Sequence, residues 1–113
     1  VGGIAAYGAC IPRLRLPRGT IATAMGWVNP GLAAARGERS LCNWDEDSLT
    51  MAVEAARDAL PLAVDRAALG GVTLASTTLP FADRSNSGVV ADALNLSTAT
   101  STEDLAGSRR AAS

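Results

Sequence analysis

Apolar and polar positions along the chain fall into blocks that change period from strand-like to helix-like and back. Gly3-Ile4-Ala5-Ala6-Tyr7-Gly8-Ala9-Cys10-Ile11 is a run of small and apolar residues closed by Pro12, which predicts a first strand over 3–11. Arg13-Leu14-Arg15-Leu16-Pro17-Arg18 alternates charge with apolar side chains, as an extended segment does. Thr20 then offers an N-cap for a short helix ending near Gly26. Pro and Gly punctuate residues 28–40, which predicts irregular structure there. A longer helix is predicted from Asp45-Glu46-Asp47-Ser48, where carboxylates complement the positive end of the helix dipole. Leu49, Ala52, Val53, Ala56 and Leu60 recur at intervals of three and four and form a core-facing stripe. Glu54, Arg57 and Asp58 are left toward water, and Pro61 ends the helix.

Asp65 to Leu69 fits one further turn. Gly71-Val72-Thr73-Leu74-Ala75-Ser76-Thr77 is a nearly continuous apolar strand of the kind buried in a parallel sheet. After Leu79-Pro80-Phe81-Ala82, the polar turn Asp83-Arg84-Ser85-Asn86-Ser87 caps another helix, with Val89, Val90, Ala93 and Leu94 on its apolar side. A Ser/Thr-rich link leads to a short strand at Thr102-Glu103-Asp104-Leu105, and Ala106 to Arg110 read as the turn into a helix. Strands and helices that alternate at these spacings predict right-handed βαβ units and a parallel sheet with helices on both faces, an α/β class.

Length and charge narrow the choice. A chain of 113 residues is one domain or part of one, with room for a single modest core. A net charge of -1 gives no general attraction to nucleic acid or to an anionic membrane. The uncharged stretch from Gly19 to Ala35 is broken by Pro30 and falls short of the roughly 20 apolar residues of a membrane span. Cys10 and Cys42, with no secretory leader ahead of them, favour reduced thiols and a cytoplasmic setting. The chain holds no histidine, which removes imidazole acid/base chemistry and the commonest metal ligand. It starts at valine, as expected of a processed or truncated product.

Candidate chemistry is sparse. Arg109 and Arg110 suit bidentate phosphate contacts, and the preferred alternative is a pair of solvated residues at a helix start. Alternation alone explains Arg13, Arg15 and Arg18. Cys42 lacks a neighbouring base and Cys10 lies in an apolar run, so both are expected to be ordinary buried thiols. Asp45, Glu46 and Asp47 lack the glycine and downstream glutamate of a calcium loop, which favours helix capping over a metal site. Ser108 follows Gly107 but has Arg110 where a nucleophile elbow needs glycine, so it too is expected to cap. Gly70 and Gly71 precede a strand and make no dinucleotide fingerprint.

The ordered set Gly3-Ile4, Tyr7-Gly8, Ile11-Pro12-Arg13, Asp45-Glu46-Asp47, Val53-Glu54-Ala55-Ala56-Arg57, Ser76, Pro80-Phe81-Ala82 and Asp104-Leu105 resembles the amino-terminal part of hydroxymethylglutaryl-CoA synthases. These belong to the thiolase superfamily with the ketoacyl-acyl-carrier-protein synthase III enzymes. The resemblance runs through residues 1–113 and implies the amino-terminal portion of a thiolase-like αβαβα fold, with a mostly parallel sheet and covering helices. It implies acyl-CoA as substrate, a covalent acyl-cysteine, carbon–carbon bond formation, and a homodimer or hetero-complex. No covalently bound cofactor, metal, nucleic acid or membrane is implied. The family's nucleophile position is Arg109 here and its acid/base position is Thr77, so the resemblance assigns no catalytic residue to this chain. A guanidinium is no acyl nucleophile, and a threonine hydroxyl does not accept a proton near neutrality as a carboxylate does. The rest of the family's machinery lies in the other half of the fold. The chain is therefore expected to lack a complete active site, and the alternative is a non-catalytic thiolase-fold scaffold or complex-forming subunit.

Overall fold

A computed structural model describes residues 2–60 and 65–110. Contacts divide the chain into two units: residues 11–46, and residues 1–10 with 47–113.

In the smaller unit, strand β1 (Leu14–Pro17) pairs antiparallel with β2 (Glu38–Leu41), placing Leu14 opposite Leu41 and Leu16 opposite Arg39. Helix α1 (Arg18–Met25) follows β1 directly, with Pro17 as its N-cap residue. The fixed φ of Pro17 is already near the helical value, so the helix starts two residues before the Thr20 cap the sequence suggested. Pro30–Ala34 forms a 3₁₀ turn capped by the Asn29 side chain, which accepts from Gly31 N–H. The irregular segment expected over 28–40 thus contains an ordered turn and most of a strand. Backbone bonds hold it, including Arg18 N–H to Gly37 C=O at 2.9 Å, and no residue of α1, β1 or β2 is buried. The alternation over residues 13–18 marks β1 as extended, but with no buried face it carries no signal for the pairing with β2.

The larger unit contains the core. Helix α2 (Ser48–Ala59) begins at Asp47, whose side chain accepts from Leu49 N–H and Thr50 N–H while the Thr50 hydroxyl accepts from Asp47 N–H. This reciprocal cap satisfies donors that a helix start leaves open. The stripe falls as the periodicity requires: Leu49 and Val53 are buried, and Ala52, Ala56 and Leu60 pack beside them. Glu54, Arg57 and Asp58 are exposed. The helix is over by Leu60, and Pro61 lies outside the described residues. A 3₁₀ turn, Arg66–Ala68, occupies the expected extra turn.

Strand β3 (Gly71–Ala75) pairs in parallel with β4 (Ser101–Leu105), in register from Gly71 opposite Ser101 to Ala75 opposite Leu105. Helix α3 (Asn86–Ala93) makes the crossover and contacts both strands, giving one βαβ unit. Val72 and Leu74 join Leu49, Val53, Val90 and Leu94 in the core, whereas Gly71 and Thr73 on the opposite face are exposed. The continuous apolar run therefore behaves as an alternating strand with one packed face. On α3, Asn86, Ser87, Val90 and Ala91 are buried, with Leu94 just beyond, while Ala93 is exposed. Of the apolar side predicted over Val89, Val90, Ala93 and Leu94, Val90 and Leu94 are buried and Val89 packs against them, while Ala93 lies outside the packed face, which extends instead over Asn86, Ser87 and Ala91.

Residues 3–11 form no strand, contrary to the sequence expectation. An extended segment becomes a strand only with a partner ladder, and these residues instead lie partly along α2. Ala9 N–H donates to the Asp58 carboxylate at 3.0 Å, and a Cβ on Gly8 would stand 2.4 Å from the backbone nitrogen of Ala59. Ile4 and Tyr7 stay exposed. Gly8→Ala is expected to destabilise the larger unit by about 1–3 kcal/mol, because the obstacle is helix backbone that cannot turn aside. Urea unfolding of that variant measures the cost, and an unchanged midpoint would place residues 3–10 away from α2.

Candidate functional site at the carboxyl end of the parallel strands

Parallel neighbours deliver their following loops to the same end of a sheet, and in open α/β sheets ligands bind at that carboxyl end. β3 and β4 end level with each other, and Ser76 N–H extends the ladder by donating to Leu105 C=O at 3.0 Å. The two loops that leave this end carry Ser76, Thr77 and Thr78 on one side and Gly107, Ser108, Arg109 and Arg110 on the other. Both positions singled out from the sequence, Thr77 and Arg109, are exposed in these loops.

The loop after β3 is held by its own hydroxyls. Ser76 Oγ accepts from Thr78 N–H at 3.1 Å and lies 3.2 Å from Thr78 Oγ1, while Ser48 Oγ at the start of α2 donates to Thr78 C=O at 2.7 Å. After β4, Gly107 takes φ +88°, a left-handed conformation that side chains disfavour. Ser108 Oγ then accepts from Arg110 N–H at 3.0 Å. Ser108 thus caps a turn, as expected of it, but residues 106–110 form no helix, so Arg109 and Arg110 do not stand at a described helix start.

Asp104, one residue before the end of β4, is fastened to the start of α3. Its carboxylate accepts from Asn86 N–H (2.8 Å), Asn86 Nδ2 (3.0 Å) and Ser87 N–H (2.7 Å). Asn86 also joins Phe81, donating from Nδ2 to Phe81 C=O at 2.9 Å and accepting from Phe81 N–H at 3.0 Å. The Ser87 hydroxyl, then the Asn86 side chain and the two backbone N–H groups, hold the Asp104 carboxyl well below the usual carboxylate range against an opposing effect of burial. Asn86 and Ser87 are nearly inaccessible, yet no buried side-chain polar atom among the described residues lacks a partner. Sequence reasoning placed Asn86 and Ser87 in a polar capping turn, with nothing to mark them as buried. A polar pair closing an apolar run gives no sign that a carboxylate seventeen or eighteen residues later will bury it.

Other candidates resolve as local structure. Asp47 caps α2, and Glu46 accepts from Asn43 N–H at 3.3 Å. Among the described residues no group of three or more His, Cys, Asp or Glu side chains is placed to hold a metal ion. Arg15 folds back on the carbonyls of Pro12 and Leu14. Cys10 is half-buried and Cys42 exposed, which corrects the expectation that both are buried, and neither forms a disulfide. Cys42 borders a strand that lies on no core, so its apolar character has nothing to bury against. A groove of about 570 Å³ runs beside α3 toward the amino end of β4, lined by Arg84, Val89, Asp92, Leu96, Thr100 and Thr102 among others. It includes neither Thr77 nor Arg109. No helix of the described residues is long and apolar enough to cross a membrane.

The same arrangement recurs in solved structures. OleA of Xanthomonas campestris bound to cerulenin superposes with a TM-score of 0.77 at 21% identity, over 91% of this chain and 33% of that one. The 3-oxoacyl-(acyl carrier protein) synthase III, FabH, of Xanthomonas oryzae gives 0.77 at 19% identity, again over 91% and 33%. The fold is thus the thiolase-like one, with its parallel strands and covering helices. In sequence, the hydroxymethylglutaryl-CoA synthase of Aeropyrum pernix is 39% identical over 113 residues, 98% of this chain and 31% of that protein. The synthase of Methanobrevibacter smithii is 37% identical over 98 residues, 82% and 28%. No protein-family profile matches the sequence. The chain belongs with the hydroxymethylglutaryl-CoA synthase-like proteins of the thiolase superfamily, and it spans about a third of the length of the curated relatives it matches.

Proposed function

We propose that this chain is the amino-terminal part of a protein that acts on acyl-CoA thioesters by acyl transfer and carbon–carbon bond formation, and that it holds only part of the active site. The observation that carries this reading is the parallel β3–β4 pair in a chain 39% identical to a hydroxymethylglutaryl-CoA synthase, at whose carboxyl end the resemblance would put the family's nucleophile and acid/base positions. Those positions are Arg109 and Thr77. In the proposed chemistry a thiolate attacks the thioester carbonyl, a new sulfur–carbon bond forms, and the CoA thiolate leaves and takes up a proton. Arg109 does not supply that sulfur. A protein with no other nucleophile fits a second reading, a non-catalytic scaffold or complex-forming subunit, and Arg109 with Thr77 is the observation in its favour.

A homodimer or hetero-complex and a cytoplasmic location belong to the same proposal. Ile4 and Tyr7 in the larger unit, and Trp27 and Trp44 in the smaller, are almost fully exposed, which supports a protein partner on either unit, and cysteines without a disulfide support a reducing compartment. The test is Arg109→Cys in the gene product that contains this sequence, incubated with a short-chain acyl-CoA and weighed intact. Appearance of the acyl adduct in the variant and not in the native protein supports a condensing-enzyme scaffold that lacks its sulfur. If neither protein gains the acyl group, the scaffold reading replaces it.

A further inference from the structure

We draw no further inference here: the strongest candidate, the groove of about 570 Å³ beside α3 toward the amino end of β4, with Arg84 and Asp92 near the hydroxyls of Thr98 and Thr102, is lined mainly by exposed side chains, and nothing in the structure shows what covers it.

Discussion

Asp104→Asn is expected to lower the stability of the larger unit by about 2–3 kcal/mol at neutral pH, the range for losing charge-assisted bonds to donors that stay buried. Three donors converge on this carboxylate, from Asn86 N–H, Asn86 Nδ2 and Ser87 N–H. An asparagine in its place turns one acceptor oxygen into an NH₂ group that faces donors. The effect depends on pH in a definite direction. Because folding lowers the Asp104 pKa, the folded protein holds fewer protons than the unfolded chain, and the carboxylate's contribution is complete above the unfolded value of about 3.9. It is lost progressively as pH falls below that value through the lower folded one. Urea unfolding at about pH 7 and at about pH 2.5 should therefore show a wide gap between native and variant at the first and a narrower gap at the second. A gap of equal width at both would mean that the charge of Asp104 does not hold β4 to α3.

The same carboxylate explains how far the sequence could be read. Helix α2 was legible because two independent signals agree on it, an acidic cap at Asp47 and an apolar stripe from Leu49 to Leu60. β3 was legible as a strand but not in how it packs, because periodicity reports a run of apolar residues and not the number of layers laid over it. Helix α3 was legible in position and in most of its apolar side, since Val89, Val90 and Leu94 reach the core and only Ala93 does not. Its buried positions, Asn86, Ser87, Val90, Ala91 and Leu94, recur at the spacing of a helical face, but the first two are polar and become buried only because Asp104 satisfies them. A reading by hydrophobicity drops them, keeps Val89, Val90 and Leu94, and adds the exposed Ala93. Residues 3–11 failed for a different reason: strand propensity is local, whereas a strand requires a neighbour, and these residues meet α2. The pairing of β1 with β2 was missed for the same class of reason, although residues 13–18 were read as extended, since the ladder binds backbone to backbone and buries no apolar face. At the candidate site, Arg109 could be placed after a strand from pattern alone, whereas Thr77 was read as the last residue of its strand, which ends at Ala75. That both strands end level, and that Asp104 and Asp47 are tied to helix starts, required the fold.

Leu94→Ala is expected to cost about 3 kcal/mol, within the range for a large aliphatic side chain lost from a core. Leu94 closes α3 at 2% exposure and packs with Leu49, Val53 and Val90, where the strand residues Val72 and Leu74 also meet. Its carbonyl accepts from the Arg66 guanidinium at 2.7 Å, which ties the 3₁₀ turn before β3 to the end of α3 and limits how far the backbone can move to fill the cavity. A unit of this size has only about 4–12 kcal/mol of stability to lose, so the variant should melt far below the native protein and unfold early in urea. Ala93→Ser, one residue away and exposed, should stay within about 0.5 kcal/mol of native. The pair tests where the packed side of α3 ends: the face over Asn86, Val90 and Leu94 predicts a large effect at 94 and none at 93, while the side expected from the sequence, which adds Ala93 to Val89, Val90 and Leu94, predicts that the new hydroxyl is buried and destabilising. Equal losses at both positions would reject the packing of α3 described above, and with it the route by which Asp104 reaches Asn86.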